Sequence, residues 1–499
     1  MKKIKVTVQQ PNTILPKTKQ LAWQLAAIAH NKHDLTTPVV DMIINRIIDS
    51  FAVSIAAIND DPVTTARAMA LAHQIDGGST LFGIDPAIKV SPEWAAWANS
   101  TALRQLDYHD TYLSADYSHP ADNIPALLSV AQHCNCNGSE LLKAIAVSYE
   151  IQMRLVDGIC LHRHKVDHIL HLGVSIVVGI GSLLHLSQQI IYEAIQQIVH
   201  TTVTTRQSRK GDISSWKAFA PAHAAKLAIE AIDRCMRGER SPNPIYEGVD
   251  SIINRILDGS NSSYTISLPR STEPLQAILA SYPKEHSAEY QSQAFIDLAI
   301  DIHNKIALDK IKHIKIYTSH HTHTVIGSGA QDLEKTDPHA SRETLDHSLM
   351  YIFAVALEDG YWDYKISYPP ARKITSETHR LMRIIETVED PYWTNFYHHQ
   401  NAQKKKFGGV VEILLTSNKI IRKKIDVAHA HPNGKKPFLR ADYIKKFNYL
   451  TQELVSEHIS TDFLSKISHL QFLESNQLAC LSLACHSNYI KSNVKKGLF

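Results

Sequence analysis

Along this 499-residue chain the rhythm of apolar and polar positions changes once, near residue 281. From about residue 36 to residue 258, apolar residues recur at the three- and four-residue intervals of helices. The first run, VVDMIINRIIDSFAVSIAAI, follows Thr37-Pro38, a capping residue and a proline suited to a first helical turn. Further helices are expected over residues 92–106, 124–134, 139–155, 166–186, 188–203 and 220–236. No strand pattern interrupts them, so this part reads as a multihelical domain.

Beyond residue 281 the pattern mixes two periods. Residues 313–319 (HIKIYTS) alternate as a half-buried strand does. Residues 409–415 (GVVEILL) and 419–427 (KIIRKKIDV) read as two more strands, joined through Thr416-Ser417-Asn418. Helices are expected between them over residues 289–305, 344–358 and 376–385. After the turn His431-Pro432-Asn433-Gly434 the chain reads as helical again, from residue 440 to about 488. The expected fold is therefore mainly α. A large multihelical domain covers 1–278, with C-terminal helices in 438–499 returning to it, and a smaller α+β domain of ordinary size covers 279–437.

Composition narrows the function classes. Hydrophobic residues make up 44% and charged residues 20%, as in an ordinary globular protein rather than a disordered one. A net charge of +3 gives no reason to expect nucleic acid or a membrane surface as partner. The most apolar run, residues 172–184, is too short for a membrane span and reads as a buried core helix. The opening MKKIKVTVQQPNTILPKTKQ lacks the apolar stretch of a signal peptide, so a cytoplasmic location is expected. The six cysteines, Cys134, Cys136, Cys160, Cys235, Cys480 and Cys485, contain no CxxC and read as reduced thiols.

Four segments carry polar residues where helical core should be apolar. Residues 106–120 (LDYHDTYLSADYSHP) bring together Asp107, His109, Asp110, Thr111 and His119, with Asp122 and Asn123 just beyond. Acids and imidazoles this dense suit proton transfer; the alternative is a solvated loop with capping residues. Residues 162–171 (HRHKVDHILH) space His164, His168 and His171 along one helical face, which can hold zinc. No carboxylate or cysteine completes a recognised spacing there, so one catalytic histidine beside surface neighbours is preferred. Residues 206–223 (RQSRKGDISSWKAFAPAH) place Arg206, Arg209, Lys210 and Lys217 just before a helix. That arrangement suits a polycarboxylate, or is a flexible basic loop. Residues 346–351 (DHSLMY) open an apolar helix, where Tyr351 is by default a core residue. The histidine groups at 320–323 and 429–431 read as polar loops rather than metal clusters.

Taken together, these segments resemble the 2-methylcitrate dehydratase family (MmgE/PrpD), which also contains cis-aconitate decarboxylase. The resemblance rests on the order and spacing of LDYHDTYLSADYSHPADN, VDH at 166–168, SRKGDISSWKAFAPAHAA, YEG at 246–248 and DHSLMYIFAVAL. It implies a helical domain, a smaller α+β lid and a site between them. Carried over by motif, it implies catalytic roles for Asp107, His119, His168, Lys217 and Tyr351, and substrate contacts for Thr111, Arg206 and Arg209. The Thr111-to-His119 spacing is similar to that of the dehydratases, whereas Phe219-Ala220-Pro221-Ala222 departs from the family's usual LHAG.

The implied activity is loss of water from 2-methylcitrate to give 2-methyl-cis-aconitate in propionate catabolism, with citrate as a side substrate. A homodimer is implied, and the expected partner is a small tricarboxylate. The ungrouped cysteines do not suit an iron–sulfur cluster, so chemistry on side chains alone is expected, with no cofactor and no metal. Three alternatives stand beside this reading: a cis-aconitate decarboxylase of the same family, an inactive tricarboxylate-binding relative, and a histidine-bound zinc hydrolase.

Overall fold

The computed structural model describes residues 1–399, 401–491 and 495–498. The larger of its hydrophobic cores lies among the helices Thr37–Ala56, Ile124–His133, Gly138–Gly158, Ile169–Leu183, Gln188–Thr202 and Trp216–Met236. The apolar run read as a core helix is one: every residue of Ile169–Leu183 is buried. Its glycines let neighbours close in, for a Cβ on Gly179 would lie 2.0 Å from Ser148 Oγ on Gly138–Gly158. Among the described residues, no helix is long and apolar enough to cross a membrane.

Strand structure also enters the helical body, which the sequence reading did not expect. Lys2–Thr7 pairs antiparallel with Ser263–Leu268, and its alternation turns Ile4 and Val6 inward. Only two inward residues signal that strand, too short a pattern to stand out beside long helices.

The smaller body is built on a four-stranded sheet ordered Ile385–Glu389, Ile311–Thr318, Gly409–Leu415, Ile420–Ile425. The first pair is parallel and the other two antiparallel. The expected turn at 416–418 is present, with Asn418 at φ 62° closing it. The helix expected over 376–385 stops at Ile384, and the strand Ile385–Glu389 follows without a break. Helices Gln293–Ile302 and Leu349–Asp359 complete a second core with this sheet.

The chain then returns to the first body. Helices Arg440–Thr451 and Glu457–Ser468 pack on Thr37–Ala56, with Phe463 4.6 Å from Phe51 and 5.6 Å from Phe447 between ring centroids. Lys446 Nζ lies 2.8 Å from Asp49 Oδ1 in the same contact. Fully buried Arg46 joins three regions: it donates to Tyr443 Oη at 2.9 Å and to the Ser281 carbonyl at 2.8 Å, and lies 3.3 Å from Asp110. Helix and tail thus converge beside the polar segment that opens at Asp107.

Gly138 begins its helix where the tail docks, donating its N–H to the Leu473 carbonyl at 2.8 Å. A Cβ there would sit 1.7 Å from the Leu470 carbonyl oxygen. Gly138→Ala should therefore lower stability by about 1–3 kcal/mol through overpacking. Denaturant melts of both proteins, with unchanged slopes, provide the check.

Candidate active site

The first polar segment is interior rather than a solvated loop. Asp107, His109, Asp110, Thr111, His119, Asp122 and Asn123 are each no more than 6% exposed. Helix Pro92–Gln105 delivers Arg104 at its end, and Asp107 turns the chain in the left-handed region at φ 49°. An aspartate held there is strained, a feature that clusters at functional sites. A short antiparallel hairpin, Tyr112–Leu113 against Tyr117–Ser118, then returns the chain to His119. Thr111 exchanges backbone hydrogen bonds with Tyr282 at 3.0 and 2.7 Å, fixing the segment to the connection between the two bodies.

Asp107 is the centre of the charge cluster. Its carboxylate lies 2.6 Å from Lys284 Nζ, 3.2 Å from Lys217 Nζ and 3.3 Å from Arg104 Nη1. Burial alone would raise this carboxyl; Arg104, Lys284 and Lys217 outweigh it and hold it well below the usual range. Lys217 also donates to Asp346 of the smaller body at 2.7 and 2.5 Å. His347 makes a short contact with Asp346 and lies 3.7 Å from Asp107. Burial, then Lys217, pushes the His347 imidazole down to about 4.

Asp107, Asp346 and His347 place donor atoms within 4.8 Å of one another, close enough to share a metal ion. The Lys217 ammonium stands among them, 3.5 Å from His347 Nδ1, and supplies the positive charge itself.

The histidines form a second group. His119 Nδ1 lies 3.0 Å from the Asp110 carbonyl and 3.2 Å from Thr111 Oγ1. A carbonyl only accepts, so the proton belongs on Nδ1 and Nε2 keeps its lone pair. Burial, reinforced by Arg104 and Lys284, pushes His119 well below its usual value, leaving it neutral. Its ring stands 5.1 Å from His109 and 5.5 Å from His168 between centroids. Each neighbour has its own acid, His109 at 2.9 Å from Asp122 and His168 at 2.8 Å from Asp167. Burial opposes the Asp167 charge, but Arg209, His168 and Ser208 together hold that carboxyl below its usual value.

A small cavity touches both groups, lined by Arg104, Thr111, Tyr117, His119, Arg206, Arg209, Glu289, His321, Val325 and His347. Three guanidiniums reach it. Arg104 Nε and Arg209 Nη2 are buried and have no hydrogen-bond partner among the described residues. Arg206 lies over the Tyr117 ring at 5.1 Å. Guanidiniums converging on one space suit carboxylate recognition. Facing them, Glu289 is pushed up to about 7 by burial against the opposing charge of Lys284. A larger cavity of about 1050 Å³ shares Arg206, Arg209, His321 and Val325 with the small one.

Of the expected site residues, the structure brings Asp107, Thr111, His119, His168, Lys217, Arg206 and Arg209 into this region. Tyr351 is not among them. It lies within the core of the smaller body, where its hydroxyl donates to the Ser367 carbonyl at 2.7 Å. The helix Leu349–Asp359 begins after Ser348, so Asp346 and His347 lie before it and reach the cleft while Tyr351 turns inward.

The single helical face expected for His164, His168 and His171 does not form. Left-handed Lys165 interrupts it and the helix starts only at Ile169. His164 lies 3.4 Å from Asp258, and His171 contacts the Ile159 carbonyl at 3.1 Å, so the three serve separate partners. Residues 320–323, expected as loop, lie in the short helix His320–Val325, and His321 reaches the cavity. Sequence reasoning missed Arg104, Lys284 and Glu289, and quoted Asp346 and His347 without assigning them. No local pattern marks Lys284, which stands in the connection just past the change of rhythm at residue 281.

Removing Lys284 would leave Asp107 short of one buried counter-charge. Lys284→Met should cost about 3–5 kcal/mol. The double variant with Asp107→Asn should recover part of that loss, measured as a double-mutant cycle by denaturant melts. Because the folded-state pKa of Asp107 is depressed, its contribution is present above the ordinary carboxylate range and fades as pH falls below it. The single variant should therefore lose less stability on acidification than the parent.

The arrangement also has relatives. Residues 19–265 match the MmgE/PrpD N-terminal domain and residues 286–465 the MmgE/PrpD C-terminal domain. The chain is 23% identical over 372 residues to the mitochondrial 2-methylcitrate dehydratase of Yarrowia lipolytica, covering 70% of this chain and 67% of that one. It is 24% identical over 355 residues to the 2-methylcitrate dehydratase of Escherichia coli K12, covering 66% and 68%. A 2-methylcitrate dehydratase-like protein of Aspergillus oryzae is 24% identical over 400 residues, covering 74% and 76%. With two family domains matched in order over most of its length, the chain belongs to the MmgE/PrpD family.

Proposed function

We propose that this protein is a hydro-lyase that removes water from 2-methylcitrate, forming 2-methyl-cis-aconitate. The observation that carries the reading is the convergence of Arg104, Arg206 and Arg209, two of them with unspent buried donors, beside a neutral histidine. Three fixed cations match the three carboxylates of the substrate. The names of the relatives support the same chemistry.

The reaction takes a proton from a carbon beside a carboxylate and expels hydroxide from the neighbouring carbon. His119 Nε2 accepts the proton, since its Nδ1 proton is committed to the Asp110 carbonyl. The electron pair left on carbon forms the double bond as the carbon–oxygen bond breaks. Negative charge building on the adjacent carboxylate is met by the guanidiniums, with Lys217 and Lys284 fixing the field behind them through Asp107. The departing hydroxide takes a proton from Glu289, whose carboxyl retains one up to about pH 7. Atoms balance as one alkene and one water.

The Glu289 and His119 roles set the pH profile. A required acid with a pKa of about 7 makes kcat/KM fall as pH rises through that value. Glu289→Gln should lower the rate about 10²–10⁴-fold and flatten this alkaline limb. A limb that persists unchanged in the variant would assign the acid elsewhere.

Substrate choice is tested by following unsaturated tricarboxylate absorbance from 2-methylcitrate, citrate and isocitrate in parallel, with carbon dioxide release from cis-aconitate as the decarboxylase control. 2-Methylcitrate is expected to be turned over fastest. Arg206→Gln, at a guanidinium in no ion pair among the described residues, should raise KM for it roughly 10–100-fold, as for a lost hydrogen bond to a charged group. Tight 2-methylcitrate binding with no turnover under any condition would instead mark an inactive binding relative.

A further inference from the structure

We propose that Glu285, His286 and Asp297 form a binding site for a divalent transition cation of the zinc class, separate from the active site, with His429 beside it. Donor atoms of Glu285, His286 and Asp297 all lie within 4.8 Å of one another. His286 Nε2 stands 2.9 Å from Asp297 Oδ1, and His429 Nδ1 lies 3.7 Å from that same oxygen. Donors around one tetrahedral zinc ion stand roughly 3.3 Å apart, and these two spacings bracket that value. One imidazole with two carboxylates, and a second imidazole 3.7 Å from one of them, suits zinc and its neighbours better than calcium or magnesium.

The surroundings support the assignment. Asp297 Oδ2 accepts the His429 backbone N–H at 2.6 Å, which fixes the carboxylate and leaves Oδ1 turned to the imidazoles. His286 and Asp297 are buried, whereas Glu285 is exposed, giving an ion a route from solvent. Among the described residues the Glu285 carboxylate makes no ion pair with a lysine or arginine. That differs from Asp107, Asp346 and His347, where Lys217 already stands.

The donors come from two parts of the smaller body, the connection that carries Lys284 and the helix Gln293–Ile302, and His429 follows the last strand of the sheet. Tyr108 of the other body donates its hydroxyl to the Glu285 carbonyl at 2.7 Å. An ion held here pins the connection one residue from Lys284, and its effect is read first as stability.

The test is Zn²⁺ titration of the metal-stripped full-length protein against a chromophoric chelator, with thermal melts alongside. The parent should bind one Zn²⁺ per chain at these residues and rise in Tm with added Zn²⁺, since a ligand of the folded state stabilises it. Glu285→Gln, at an exposed group, and His286→Gln, which keeps a side chain of similar reach, should each weaken that binding at least 10-fold and reduce the Tm rise. No Zn²⁺ binding by the parent, or binding and Tm shifts that both variants retain, would overturn the assignment and leave His286–Asp297 as an ordinary hydrogen-bonded pair.

Discussion

One buried carboxylate holds the two bodies in register. Asp107 sits at the end of a helix-to-loop turn in a backbone region that aspartate enters at a cost, and three cations surround it. Arg104 comes from the helix just before it and Lys217 from the second residue of Trp216–Met236. Lys284 comes from the connection to the smaller body. A lone charge in this interior would cost several kcal/mol. The compensation works only if all three segments arrive together, so the charge cluster enforces the tertiary arrangement. Lys217 extends the constraint through Asp346 into the smaller body, and the cleft becomes the place where the network is completed.

That network also determines the state of the histidines. Cations gathered around Asp107 push His119 toward neutrality, and a neutral imidazole with a fixed Nδ1 proton is ready to accept another at Nε2. The same burial that depresses His119 raises Glu289 to about 7. Two groups in one cavity are thus driven in opposite directions by one environment, the imidazole losing its proton and the carboxyl keeping one. In the proposed reaction, such separation of values lets one group serve as base and the other as acid without either needing an unusual chemical identity.

The helical body was legible because its signal is long. Fifteen- and twenty-residue apolar periods such as Gln188–Thr202 and Thr37–Ala56 leave little ambiguity, and both appear within two residues of where the pattern places them. Short strands were not legible: Lys2–Thr7 offers two inward residues and Ile385–Glu389 begins where a helix ends. At the site, proximity in sequence was a good guide within 106–123 and a poor one elsewhere. The 346–351 motif pointed to Tyr351, but the cap at Ser348 turns the first helical turn inward, so Asp346 and His347 carry the contacts. Lys284 and Glu289 belong to no local pattern; only the meeting of distant segments gives them meaning.

The distribution of charge at the cavity bears on how an anion is held. Arg104, Arg206 and Arg209 face a space in which Glu289 is the lining carboxyl, and Glu289 is driven toward its neutral form. Asp107 and Asp167 stand behind Arg104 and Arg209 and offset part of their charge, but Arg104 Nε and Arg209 Nη2 keep no hydrogen-bond partner among the described residues. Unmet buried donors cost about 1–3 kcal/mol each, and more when charged. A folded protein retains such a cost where a ligand removes it. Under the proposed function, an anion with several carboxylates would satisfy those donors at once and supply the charge the fold withholds. The stability given up in assembling the cations would then be returned on binding, which would tie the tight charge balance around Asp107 to the imbalance beside it.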